Sequence, residues 1–423
     1  MKRLKGVIKR LILKTDGTIS NKRVAFFLLF LNVVTSAAVS IYLPCLKQIA
    51  VDLETTNAVA QMTLVTYLIG EFVGRAACGP FIEAYGIRAV ILPSLAISIG
   101  GHWGCMLSSS SMTFMIMRFM QAIGSSVVYV VSQSVINERF NEREKSGVLG
   151  ILELYQPIAW ILSPFVGSIL AEISDWRAAF LALSLAQLVG LAFFWVYPAK
   201  ASEKSRKVFF SAKFFRGYKH VLNNYSFVIH ALIPGLFAGG YMIFATSAPF
   251  ICSKFGLNNS ANIAIFSAIP LFFYVLATFA YRAIVKRYRL RIARRVGACV
   301  YGVFGVYIVY LTLHHSPWTP IALLTLMCLQ CAGSAFLVPT SILKALHAAN
   351  ESTCVGASTV VMFRNLVMSV CISMGAKFSG SITTVMSCVF LTVATVLVLI
   401  MTRKIIKNRG KRRRACGINL RAR

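Results

Sequence analysis

The 423-residue chain is 57% hydrophobic and only 13% charged, with a mean hydropathy of +0.71, whereas a soluble domain carries about 25% charged residues. A soluble globular domain is therefore excluded, and the profile is that of a polytopic membrane protein. The formal net charge of +31 invites a nucleic-acid reading, which its placement along the chain argues against.

In chain order, a basic tail over residues 1–23 precedes a series of apolar stretches. Each is long enough for a hydrocarbon core, which takes roughly 20 residues per helical span. About twelve occur, at 24–46, 58–78, 89–107, 112–135, 148–171, 178–198, 226–250, 261–285, 296–314, 319–342, 354–376 and 382–402. A barrel strand would instead read as roughly ten alternating residues. Over such lengths only helices satisfy their own backbone in lipid, so the expected fold class is all-α, with about 12 transmembrane helices. The first span is too long, and lacks the small-residue cleavage pattern, for a removable signal peptide.

Lys and Arg fall almost wholly on one side of this map; the opposite loops hold only Lys47, Arg177, Lys254 and Lys377. By the positive-inside rule that side, with both termini, is cytoplasmic. The tail at 403–423 reads as a juxtamembrane cluster resting on anionic lipid headgroups rather than a nucleic-acid arm. The longest polar break, at 199–225, reads as a central cytoplasmic linker between a six-helix half at 24–198 and another at 226–402. The halves echo each other: "EAYGIR" (Glu83 to Arg88) follows span two and "KRYRLR" (Lys286 to Arg291) follows span eight. Parallel repeats of this kind are a transporter plan, with the substrate site at mid-membrane between them.

Charges inside spans are costly and mark function or pairing. Glu71 in span two has Arg75 one turn on, at the i,i+4 spacing of an intrahelical ion pair. Glu153 in span five has no local cation and is the first choice for carrying a proton, answering Arg118 of span four across the bundle. A buried carboxyl exchanges protons near neutral pH when desolvation and a nearby cation alternate with conformation. Arg118 itself either pairs with backbone or takes part in coupling or substrate binding. Pro157 and Pro164 bend span five and Gly167 permits close helix contact, which shapes a gate or an ordinary packed interface. Arg364 and Asn365 interrupt span eleven, where an Arg either binds an anionic substrate group or pairs with a helix end. His230 is either a titrating group or a hydrogen-bonded packing residue. Gln121, Gln156 and Gln330 either contact ligand or glue helices. Tyr129, Tyr155, Trp160, Phe237 and Tyr241 either line an apolar pocket or pack against lipid. The 11 cysteines lie mostly singly within spans, and neither Cys328 and Cys331 nor any other group reads as a metal site; no cofactor is expected. No ATP-binding or hydrolase motif is present.

The stretch "GPFIEAYGIR" resembles the loop signature of the major facilitator superfamily through Gly79, Glu83, Gly86 and Arg88. Gly86 allows a left-handed turn, Pro80 helps end the preceding helix and Glu83 can pair with a cation or helix N-terminus. The resemblance implies a conformational latch that forms and breaks during transport, here with Ala84 and Ile87 at positions that are usually basic. "IYLPCLKQIAVDLETTNAVAQMTLVTYLIG", "RFMQAIGSSVV", "YQPIAWILSPFVGSIL", "DWRAAF" and "SAPFICSKFGL" resemble, in order, landmarks of the Bcr/CflA (bicyclomycin-resistance) branch of drug:proton antiporters. Pro157, Pro164 and Gly167 fall in its antiporter motif. The branch carries an acid in span one where this chain has Ser40, so that proton site does not transfer, and Glu71 or Glu153 takes over or coupling is lost. The resemblance implies a proton-coupled exporter of lipophilic or amphiphilic drugs, acting as a monomer on small molecules and protons in a bacterial inner membrane. The alternatives are a metabolite carrier, for an amino acid or siderophore, and a transport-dead receptor or scaffold. No enzyme is expected.

Overall fold

A computed structural model describes residues 21–140, 142–196, 221–257, 259–288, 290–313, 319–349 and 353–377. Regular structure among them is entirely helical. Helix α1 (Asn21–Ser40) is followed by a 3-10 turn (Leu43–Cys45) and a short α2 (Leu46–Asp52). Then come α3 (Asn57–Tyr85), α4 (Ile87–Leu107), α5 (Ser111–Arg139), α6 (Glu142–Ile173) and α7 (Arg177–Val196). After the linker follow α8 (Tyr225–Lys254), α9 (Ser260–Arg287), α10 (Leu290–Leu313), α11 (Pro320–Ala349) and α12 (Thr353–Lys377). These match spans one to eleven of the sequence, α1 and α2 together forming the first. The twelfth stretch at 382–402, both basic tails and most of the linker lie outside the described residues.

Among the described residues nine helical stretches are long and apolar enough to cross a membrane, and α3 is not one of them. Gln61, Glu71 and Arg75 dilute its hydropathy, and all three face protein rather than lipid depth without a partner. Polar residues in the connecting turns start the helices: Thr56 accepts from Val59 N, Ser110 from Thr113 N, and Asn259 from Ala261 N, satisfying backbone donors that the first helical turn leaves free.

Two local expectations are corrected. Pro80 does not end the second span: it lies inside α3, which continues to Tyr85 and stops at Gly86, whose φ of +82° suits a residue without a side chain. The first span is not one uninterrupted helix either. It breaks after Ser40, and Pro44, with no N–H to donate, opens the 3-10 turn instead.

Close packing at small residues holds the bundle together, as it must where lipid offers no hydrophobic drive. A Cβ on Gly124 of α5 would meet Ser94 O of α4 at 2.2 Å. The helices before the linker meet those after it chiefly through α3 against α12 and α6 against α9. In span numbers these pairs are two with eleven and five with eight, and a shift of six converts one into the other. At the end opposite the linker the groups are tied by Lys47 Nζ donating to Ser253 Oγ at 2.5 Å and Ser168 Oγ donating to Ser260 O at 2.9 Å.

Candidate functional site

Halfway along α3, the i,i+4 spacing brings Arg75 onto Glu71, and the two form a short ion pair through Glu71 Oε1. The other carboxylate oxygen accepts from Asn365 Nδ2 of α12 at 2.7 Å. Glu71 therefore joins the two groups of helices rather than closing a pair within one. The guanidinium of Arg75 lies 5.2 Å from the Tyr129 ring centroid, a cation–π distance. Next to Asn365, Arg364 donates from Nη1 to Gln156 Oε1 of α6 at 2.8 Å. Glu71, Arg75 and Arg364 interact electrostatically as one cluster. Its polar needs are incompletely met: Arg75 Nε, Arg364 Nε and Asn365 Oδ1 are buried and have no hydrogen-bond partner.

Arg364 and Gln156 also line a cavity of about 140 Å³ between α6 and the helices after the linker. Its walls include Trp160, Phe237, Tyr241, Tyr274 and Leu271. The lining is that of a small-molecule site, apolar with a few polar groups. Tyr241 donates its hydroxyl to Ser267 O at 3.1 Å, which fixes the ring between α8 and α9. Trp160 is buried and its Nε1 has no partner.

Other candidates from the sequence sit elsewhere. Arg118 is fully buried, donating to Ala38 O at 3.1 Å and to Gln121 Oε1 at 2.8 Å. The rings of Tyr42 and Tyr67 enclose it, with centroids 4.3 and 4.4 Å from its guanidinium carbon. Gln121 in turn donates to His102 Nδ1 at 2.9 Å, so Gln121 belongs to this packed network and not to the lining of the cavity. Tyr129 stands behind Arg75, and His230 lies on α8, neither among the cavity-lining residues. Gln330 spans α11 to α8 by donating to Phe237 O at 2.9 Å, the gluing role. Glu153 lies on α6 three residues before Gln156, and its side chain is outside the described residues. Counting helix rise at about 1.5 Å per residue, Glu153 and Arg118 stand about 15 Å apart in depth. Ser40 bonds Ser163 Oγ at 2.6 Å. Pro157 and Pro164 lie inside α6, and Gly167 touches the Ile41 carbonyl.

In the 79–88 loop, Arg88 donates to Trp195 O of α7 and Gly86 caps α3. Gly79 has open space where a side chain would be, and the Glu83 side chain lies outside the described residues. The residues that sequence reasoning passed over are His102, Tyr42 and Tyr67. The one available signal was a lone Arg within a span, which needs ring faces when no acid is at hand; no spacing ties it to Tyr42 or Tyr67.

An all-helical membrane bundle with a cavity between two helix groups is the architecture of a carrier. Residues 26–376 match the family model described as Major Facilitator Superfamily, and the chain belongs to that family. It is similar to an uncharacterized MFS-type transporter of Bacillus subtilis, 26% identical over 54% of this chain and 57% of that one. It is also similar to a bicyclomycin resistance protein homolog of Haemophilus influenzae, 26% identical over 42% of this chain and 44% of that one. The chain thus spans about half the length of the curated relatives it matches. Its fold is shared with a POT family transporter solved in complex with 5-aminolevulinic acid, at a TM-score of 0.72, 12% identity, and coverage of 90% of this chain and 95% of that one. The family and its solved relatives are transporters, not enzymes.

Proposed function

We propose that the protein is a secondary transporter of a bacterial inner membrane, exporting lipophilic or amphiphilic compounds in exchange for protons by alternating access. Both termini face the cytoplasm, the basic tails rest on anionic headgroups, and the unit is the monomer. The observation that supports this best is the bridge from Glu71 to Asn365 beside the cavity. As a carboxylate Glu71 accepts from both Arg75 and Asn365; a proton cancels its charge and takes up one of its acceptor sites. Protonation thus weakens a bond between α3 and α12, the helices whose separation alternating access requires. Ser40 carries no exchangeable charge; because Glu71 bridges the two helix groups, it takes the proton ahead of Glu153, the first choice from the sequence.

The test uses liposomes containing the purified protein and a pH-sensitive dye, challenged with a panel of amphiphilic compounds. Proton movement is recorded for the wild type, Glu71→Gln and Glu153→Gln. Substrate-dependent proton flux that Glu71→Gln abolishes is the expected result. Solute flux without proton movement in the wild type would make the protein a facilitator, and no flux for any solute would favour the receptor or scaffold.

A further inference from the structure

We infer that the transported compound is an organic anion: one carboxylate-like group on an apolar, ring-bearing body, the anionic end held by Arg364. The inference rests on the transporter reading and names the substrate class of its cavity. Among the described residues lining that cavity Arg364 is the one charged group, and its only hydrogen-bond partner is the neutral Gln156. Glu71 makes no hydrogen bond to it, one carboxylate oxygen meeting Arg75 and the other Asn365, and its single charge is shared between two guanidiniums. The described charges of the cluster are two guanidiniums and one carboxylate, a surplus of one positive charge.

Unmet polar atoms on two residues of the cavity wall carry the argument further. Arg364 Nε and Trp160 Nε1 are buried, unpartnered and both donors. A donor left unpaired in an apolar site costs free energy, which a ligand bearing acceptor oxygens recovers. A lipophilic cation would bring donors and charge of the wrong sign. Around these donors the wall is aromatic and aliphatic, formed by Phe237, Tyr241, Tyr274 and Leu271. The complementary ligand is an amphiphile with one oxyanion end.

Calorimetric titration of the detergent-purified full chain with three matched probes tests the inference: 2-naphthoate, 2-naphthylmethanol and 2-naphthylmethylammonium, at neutral pH. The wild type should bind naphthoate most tightly. Arg364→Gln should weaken naphthoate tenfold to a hundredfold, the range for hydrogen bonds to a charged group. Its affinity for naphthylmethanol should stay within about twofold, a readout that also reports a folded cavity. Arg364→Lys, which keeps the charge, should retain part of the preference. Equal binding of the three probes, preference for the ammonium, binding of none up to millimolar concentration, or a preference that survives Arg364→Gln would each overturn the inference. Naphthoate binding without naphthoate flux in liposomes leaves the anion site at Arg364 standing and sinks the transporter reading. Flux of the ammonium or the alcohol, with no preference for naphthoate, does the reverse.

Discussion

Adding a single methyl group at Gly167 should separate two helices. The glycine of α6 faces the Ile41 carbonyl at the break in the first span, and a Cβ built there would lie 1.7 Å from Ile41 O. Such contacts do not occur below 3.0 Å, so α6 must retreat by at least 1.3 Å (3.0 less 1.7) or the Ile41 peptide must turn. The preceding peptide is anchored, Ile41 N being bonded to Ala37 O at 2.9 Å, which limits turning from that side. Retreat carries Ser163, one turn before Gly167, away from Ser40 and stretches their 2.6 Å bond to 3.9 Å (2.6 plus 1.3), beyond hydrogen-bonding range. Overpacking costs about 1–3 kcal/mol and the lost bond about 1 kcal/mol, so Gly167→Ala should destabilise by roughly 2–4 kcal/mol. The assay is thermal unfolding of the detergent-purified protein by circular dichroism. Gly302→Ala and Gly305→Ala serve as controls, because neither would meet anything within 4 Å. Those two should be neutral or slightly stabilising through the helical preference for Ala. A Gly167→Ala protein that melts at or above the wild type would refute the packing argument.

Two further outcomes follow from the same geometry. Gly86→Ala forces a side chain onto a φ of +82° with ψ of 163° and should cost about 1–3 kcal/mol; the same melting experiment checks it, and an unchanged midpoint would mean that the turn relaxes freely. Joining Lys47→Cys to Ser253→Cys with a reducible thiol crosslinker, in a cysteine-depleted background, should hold the two helix groups together at the end opposite the linker. Transport in liposomes should stop and return on reduction; undiminished transport in the crosslinked protein would show that this end does not open.

Much of the bundle was legible because twenty apolar residues in a row have few uses other than crossing a bilayer. The i,i+4 pairing of Glu71 with Arg75 was legible for the same local reason, a helix fixing which residues are neighbours. What lies between helices was not. Asn365 reaching Glu71 and Gln156 reaching Arg364 depend on how each helix is rotated about its axis, and hydropathy peaks carry no such angle. Pro80 misled because proline is read as a stop, whereas α3 absorbs it and ends only where Gly86 turns left-handed. Ser40 was read as the loss of an acid; the structure adds that its hydroxyl found Ser163, a partner no spacing rule connects to it. Arg118 was expected to seek a carboxylate, yet two tyrosine ring faces surround it.

The adjacency of Arg364 and Asn365 has a mechanical meaning. Consecutive residues on a helix point about 100° apart, so one turn of α12 reaches the cavity with one residue and the Glu71 carboxylate with the next. Under the proposed roles, any pull on Arg364 is also a torque on the Asn365 bond, and α12 acts as a lever shared by cargo and proton. Linkage then runs both ways: whatever factor bound cargo applies to the proton affinity of Glu71, a bound proton must apply to the affinity for cargo. Inserting one residue between positions 364 and 365 would set the two about 200° apart instead of about 100°, so that α12 could keep one of its partners only by giving up the other.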